Sequence, residues 1–113
     1  MNHPFPVPID YVEFTSPRLE ETQAFMTDAF GWSFIDYGPD YRDLQQAGLG
    51  GGLERGPLRP PLVILRTEDL EGMLDRVTAA GATITKTIYA FPGGRRFEFT
   101  EPGGNGMAVW QPD

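Results

Sequence analysis

Two stretches, Tyr11-Val12-Glu13-Phe14-Thr15-Ser16-Pro17-Arg18-Leu19 and Leu62-Val63-Ile64-Leu65-Arg66-Thr67-Glu68-Asp69-Leu70, decide the fold when one is laid over the other. Each is a short strand-like run that ends on a hydroxyl residue and opens a helix. Ser16 is a favourable N-cap, and Pro17 follows at the first helical position, where a missing N–H does no harm. Thr67 is the matching cap. Glu68 and Asp69 then place negative charge at the helix N-terminus, where the peptide dipoles favour it.

Outward from these stretches the repeat continues. Leu19, Thr22, Phe25, Met26 and Ala29 form an apolar stripe at helical spacing, and Leu70, Met73, Leu74 and Val77 form the second, with Ala80 a turn later. Gly31 and Gly81 stand where each helix should stop. A strand resumes at Trp32–Ile35 in one half and Ala82–Thr85 in the other. Two strands around a turn follow in each half: Tyr41–Gln45 with Leu49–Glu54, and Arg95–Thr100 with Met107–Trp110. Gly56-Pro57-Leu58-Arg59-Pro60-Pro61 joins the halves, because its prolines cannot sit in a central strand. The expected fold is α+β: two βαβββ modules, about 9–55 and 61–111, within one domain at 9–113. An extended arm at 1–8 precedes it.

Composition narrows the function. The 113 residues suit one compact domain. The absence of cysteine removes thiolate nucleophiles, disulfides and sulfur-ligated metals. The one histidine, His3, stands in a terminus expected to fray. A net charge of −7 argues against nucleic acid and anionic membranes as partners. No apolar stretch approaches the roughly 20 residues that span a bilayer, and the opening residues lack the regions of a signal peptide. A cytoplasmic protein is expected.

The paired βαβββ pattern resembles the vicinal oxygen chelate superfamily of glyoxalase I, bleomycin and fosfomycin resistance proteins and extradiol dioxygenases. The residues that carry the resemblance are Val12–Leu19, Ala29-Phe30-Gly31-Trp32, Glu68-Asp69-Leu70, Ala80-Gly81-Ala82 and the turn Glu101-Pro102-Gly103-Gly104-Asn105. Short bacterial glyoxalase-related proteins are similar in Phe91-Pro92-Gly93-Gly94-Arg95-Arg96-Phe97 and Ala108-Val109-Trp110 as well. The resemblance implies a cupped, mostly antiparallel sheet enclosing a site, with metal-ligand positions on the first and last strands of each half. Those positions fall on Tyr11, Gly52, Leu62 and Ala108. None is a histidine or a carboxylate, so the metal chelation usual for the fold is expected to be missing, with no cofactor in its place.

Strand alternation assigns the remaining faces. If Val12, Phe14, Val63, Leu65, Phe97 and Phe99 pack on the helices, the cup is lined by Tyr11, Glu13, Tyr41, Asp43, Arg66, Arg96, Glu98 and Trp110, with Glu54 and Thr100 on the same faces. Aromatic walls with a few convergent polar groups suit a small organic ligand. The bland alternative is that the charges form ion pairs on a solvated face while Tyr11 and Trp110 fill volume. Glu13 and Glu98 are the acid–base candidates if the chain is a glyoxalase-related lyase or another enzyme. Glu13, Asp43, Glu54 and Glu98 are the candidates for a carboxylate metal site. Gly48 to Gly52 read as a close-packed strand rather than a phosphate loop, since no Lys-Ser or Lys-Thr follows. Gly93-Gly94-Arg95-Arg96 reads as a hairpin turn with exposed arginines, or else as an anion clamp. The favoured reading is a metal-free module that binds a small organic molecule and pairs as a homodimer. A purely structural domain is the third possibility.

Overall fold

A computed structural model describes residues 5–113, so the expectation for His3 lies outside the described residues. The chain forms two βαβββ modules of the α+β class. The first comprises β1 (Ile9–Ser16), α1 (Leu19–Phe30), β2 (Ser33–Asp36), β3 (Tyr41–Gln45) and β4 (Gly50–Arg55). The second comprises β5 (Leu62–Arg66), α2 (Leu70–Ala79), β6 (Thr83–Phe91), β7 (Gly94–Thr100) and β8 (Gly106–Pro112). Two compact units correspond closely to these modules: Tyr11–Leu62, and Val63–Asp113 together with the stretch up to Asp10. Within the first the strand order is β2-β3-β4-β1, with β1 parallel to β4 and the other pairs antiparallel. Within the second it is β6-β7-β8-β5, with β5 parallel to β8 and the rest antiparallel. The internal repeat of the sequence is thus a repeat of topology.

The helices start two residues later than the hydroxyls suggested. The Ser16 Oγ accepts the Arg18 N–H at 3.0 Å and the Thr67 Oγ1 accepts the Asp69 N–H at 3.1 Å, the same turn in both modules. Such a turn satisfies the backbone locally and holds the chain extended for two more residues. Asp69 then takes over as the N-cap of α2, its carboxylate accepting from the Gly72 N–H at 3.1 Å. At the other end of α1, Gly31 adopts φ 75°, the left-handed cap that L side chains avoid, and donates to the Thr27 carbonyl.

The second module holds a well-defined core. Leu70, Met73, Phe97, Phe99 and Val109 are buried, and Leu65, Leu74, Val77, Ile84, Ile88 and Met107 pack against them. Each large side chain removed from water here contributes about 1.5–3 kcal/mol. Val7, assigned from sequence to an arm, packs on this core too, and the Pro8 carbonyl accepts the Arg66 N–H at 3.2 Å.

The stripe expected on α1 is corrected. Leu19 is its only buried residue, Thr22 and Met26 are half-buried, and Phe25 and Ala29 face solvent. At about 100° per residue, Met26 stands about 20° from Leu19 around the helix, but Phe25 stands about 120° away. The exposed Phe25 ring instead meets Phe30 edge-on at 5.7 Å, and Phe30 lies 5.0 Å from Trp32. Among the described residues no helix is long and apolar enough to cross a membrane.

Candidate functional site

In the first module, register places Glu13, Gly52 and Asp43 in one row across β1, β4 and β3, and Thr15, Glu54 and Tyr41 in the next. Residues directly opposite one another share a face of the sheet. Tyr11, two residues from Glu13, therefore joins them, while Val12, Phe14, Leu44 and Leu53 take the other face. The side chains on the polar face form one continuous chain of contacts. Arg59 donates to Glu13 at 3.1 Å, Tyr41 donates to Glu13 at 3.1 Å, and the Tyr41 and Tyr11 hydroxyls lie 2.7 Å apart. Tyr11 donates to Asp43 at 3.2 Å, and the Gln45 amide closes the chain on the other Asp43 oxygen.

Glu13 sits 3% exposed at the centre of this chain, a carboxylate that could not be buried without such partners. Burial, reinforced by the neighbouring Glu13 charge, raises the Tyr41 phenol well above its ordinary value. Burial is also the largest cause of the rise at Tyr11, with the Asp43 charge adding to it. Both phenols therefore stay protonated and can donate. Gly52 lies directly beneath them: a Cβ there would come within 1.9 Å of the Tyr41 hydroxyl and 2.5 Å of the Tyr11 hydroxyl. Next to it, a Cβ on Gly51 would meet Leu44 and the Val12 carbonyl, each at 2.9 Å, so this glycine run is a close-packed strand.

The second module carries its own polar face, opposite the Phe97–Phe99–Val109 core. Arg66, Trp110, Arg96 and Tyr89 form one row across β5, β8, β7 and β6. The Arg66 guanidinium lies 5.8 Å over the Trp110 ring, and the indole N–H donates to Asp10 at 2.9 Å. Arg96 donates to the Tyr89 hydroxyl and, at 3.0 Å, to Glu98, while Tyr89 itself donates to Glu98 at 2.7 Å. Lys86 approaches the same carboxylate at 3.9 Å. Burial pushes the Glu98 carboxyl up, but the Tyr89 hydrogen bond and the Arg96 charge outweigh it and hold the group below its ordinary value. Burial likewise pushes the Tyr89 phenol up to about 12. Phe91 completes the face, 6.1 Å from Trp110 and 5.9 Å from the Arg96 guanidinium.

The structure thus gathers Tyr11, Glu13, Tyr41 and Asp43 in one module, and Arg66, Arg96, Glu98 and Trp110 in the other. Glu54 shares the polar face of the first module. Arg96 is not the exposed turn residue expected from Gly93-Gly94-Arg95-Arg96. Its side chain is 14% exposed, whereas Arg95 points to the other face and pairs with Glu71. Among the described residues no group of three or more His, Asp or Glu is arranged to hold a metal ion.

Sequence reasoning missed Arg59, Asp10, Lys86, Tyr89 and Phe91. Arg59 lies in the proline-rich connector, where its signal was the carboxylate it serves: a Glu on an inward face needs a cation. The last three lie on a strand taken to end at Thr85. The run Thr87-Ile88-Tyr89-Ala90-Phe91 has strand composition, but β6 carries register shifts between Ile84 and Lys86 and between Lys86 and Tyr89. Each extra residue flips the faces and hides the alternation.

Comparison with known proteins bears on this architecture. The chain matches a manganese-bound glyoxalase from Novosphingobium aromaticivorans with a TM-score of 0.71 at 22% identity, over 91% of this chain and 38% of that one. It thus spans well under half of that protein. Methylmalonyl-CoA epimerase from Mycobacterium tuberculosis matches with a TM-score of 0.72 at 17% identity, over 93% and 87% of the two chains. A superfamily member from Vibrio splendidus 12B01 matches at 0.71 and 19%, over 94% and 99%. These likenesses concern the fold. No functionally curated protein matches the sequence. The sequence profile that does match spans residues 8–109, and by it the chain belongs to the Glyoxalase/Bleomycin resistance protein/Dioxygenase superfamily.

Proposed function

We propose that this chain is a metal-free member of its superfamily that binds a small organic molecule on the polar strand faces carrying Tyr11, Glu13, Tyr41 and Asp43, and Arg66, Arg96, Glu98 and Trp110. The observation that carries the metal-free reading is the space above Gly52. A side chain at that position would have to displace the Tyr11–Tyr41 hydroxyl pair, because even a Cβ would stand 1.9 Å from one hydroxyl as the two are arranged. The chemistry of the other positions agrees. Leu62 and Ala108 offer no donor atom, and Tyr11 brings a lone phenol whose hydroxyl is already engaged with Tyr41 and Asp43. These residues do not fit a metal.

Support for ligand binding comes from composition of the faces: phenols and aromatic rings beside a few fixed charges, as small-molecule sites use. The enzyme alternative gains less. A carboxyl held below its ordinary value, as Glu98 is, stays ionised at neutral pH and makes a poor general acid. For a partner we propose a second copy of the chain, since Phe25 and Phe30 are 61% and 56% exposed and Ile35 is exposed on the edge strand β2. A monomer in sedimentation at micromolar concentration overturns that part.

Thermal melts with saturating manganese, nickel or zinc test the metal-free reading. A metal at a hundredfold over its Kd adds about 2.7 kcal/mol, a shift of several degrees in a domain of this size. No shift is expected with any of the three. A specific shift with one of them overturns the reading and makes the buried carboxylates the suspects.

A further inference from the structure

The chain is acidic, with 16 carboxylate side chains against nine lysines and arginines. Such an excess should leave no cation without a partner. Among the described residues all but two of the nine pair with a carboxylate, and the exceptions are Arg66 and Arg76. Arg76 has a local explanation. It stands in the last turn of α2, where the helix dipole favours positive charge, and packs 4.1 Å from the Phe5 ring. Arg66 has none. It ends β5, is exposed, and lies over Trp110 with its hydrogen-bonding fork unused.

What surrounds Arg66 indicates what would use that fork. Trp110 is fixed by the bond from its indole N–H to Asp10, so its ring presents a held apolar surface. Phe91 continues the surface, its ring tilted 39° to the indole. Beyond it the Arg96 and Lys86 charges are already shared with Glu98. The face therefore offers two neighbouring aromatic rings and, beside them, one guanidinium with no carboxylate of its own. A guanidinium matches a carboxylate in two parallel hydrogen bonds, and the Trp110 ring 5.8 Å away favours the positive charge at this place.

We propose that Arg66 and Trp110 form the recognition site for a planar aromatic carboxylate, the ring lying against Trp110 and Phe91 and the carboxylate taken by Arg66. This rests on the reading of the strand face as a small-molecule site and names the class of molecule it takes. Three features of the ligand follow. It carries a negative charge, since the unanswered group is a cation. That charge is a carboxylate, since its two oxygens match the guanidinium fork. Its ring is flat, since it lies against the face of an indole.

Calorimetric titration of the intact chain with benzoate, benzamide, cyclohexanecarboxylate and inorganic phosphate tests this. Benzoate is expected to bind saturably. Benzamide, which keeps the ring and loses the charge, should bind at least about tenfold more weakly, the worth of one charge-assisted hydrogen bond. Cyclohexanecarboxylate and phosphate should also be weaker, since each lacks the flat ring. Arg66→Gln should reduce benzoate to the level of benzamide and leave benzamide unchanged, with the melting temperature preserved because the exposed guanidinium holds no ion pair. Arg66→Lys should recover only part of the loss, keeping the charge without the fork. Equal binding of benzoate and benzamide, or benzoate binding indifferent to Arg66→Gln, overturns the assignment of Arg66 while leaving the small-molecule reading in place. Phosphate binding as tightly as benzoate overturns the aromatic part. If none of the four probes binds, the inference falls and the small-molecule reading loses this face as its support.

Discussion

The Tyr11 and Tyr41 hydroxyls stand 2.7 Å apart, each also donating to its own carboxylate, Asp43 and Glu13. Two phenolic protons thus serve three oxygen–oxygen contacts. A phenol has one proton to give, so the two hydroxyls cannot bond each other and both carboxylates at once without a further proton. The pair is an adaptable donor set over Gly52, a strand position that has no side chain to obstruct it.

The first prediction concerns that strand position. Gly52→Ala drives a methyl group into the Tyr41 ring end and should destabilise the protein by about 1–3 kcal/mol, the range for overpacking. Tyr41→Ala empties the same space. In the double variant the new methyl meets only the Tyr11 hydroxyl, so its cost should fall below the sum of the single costs, with a coupling of about 0.5–3 kcal/mol. Urea unfolding of the four proteins measures it. Strict additivity would mean the two groups do not compete for one space.

Arg59 leads to the second prediction. It reaches Thr15 at 2.8 Å and Glu13 at 3.1 Å, the latter a carboxylate whose side chain is 4% exposed. Because Arg59 is itself 36% exposed, solvent screens part of the pair. Arg59→Ala should cost about 1–2 kcal/mol, chiefly by leaving Glu13 short of a donor. In a Glu13→Gln background the same change should cost less, because the carboxylate that needs the cation is gone. An equal cost in both backgrounds in urea unfolding would sink the argument.

How much of this was legible in the sequence depends on how local each signal is. The repeat showed because Leu19 and Leu70 stand at the same distance from their strand runs, and because turn glycines punctuate both halves in the same order. Caps at Ser16 and Thr67 misled by two residues, since a hydroxyl that caps a helix and one that makes a turn ahead of it are the same residue in one dimension. Tyr11, Glu13, Tyr41 and Asp43 could be grouped because alternation is unbroken on β1 and β3. Tyr89 could not, because two register shifts in β6 reverse the alternation that would have announced it. The pairing of Arg59 with Glu13 spans the connector and three strands, a distance no periodicity encodes.

A third prediction follows from the phenols. Of the four tyrosines, Tyr89 is raised to about 12, and Tyr11 and Tyr41 are also raised, burial being the main cause in each. A folded-state value above the unfolded one means stability that is fully present below the ordinary phenol value of 10.0 and declines as pH rises past it. Ultraviolet titration of phenolate in the native protein should therefore show at least three of the four groups ionising above pH 10, with unfolding in alkali releasing them together. Ordinary ionisation of two or more in the folded protein would contradict the buried hydroxyl network.

The acid side gives the last prediction. The Glu98 carboxyl is held below its ordinary value of 4.5, with burial opposing that shift and the Tyr89 hydrogen bond and Arg96 charge overcoming it. The sign is opposite to that of the phenols. A folded-state value below the unfolded one gives stability that is present above the unfolded value and is lost as pH falls through the folded one. Glu98→Gln keeps an oxygen for Tyr89 and removes the charge. At pH 7 it should therefore cost about 1–2 kcal/mol, the size of hydrogen bonds made to a charged rather than a neutral acceptor. That difference should shrink as pH falls below 4.5, since protonation then neutralises the wild-type carboxyl as well. Urea unfolding of both proteins between neutral pH and pH 3 measures the gap directly. A gap that stays constant across this range would mean that Arg96 and Tyr89 hold Glu98 by shape alone, and the charge would have no part in organising the face.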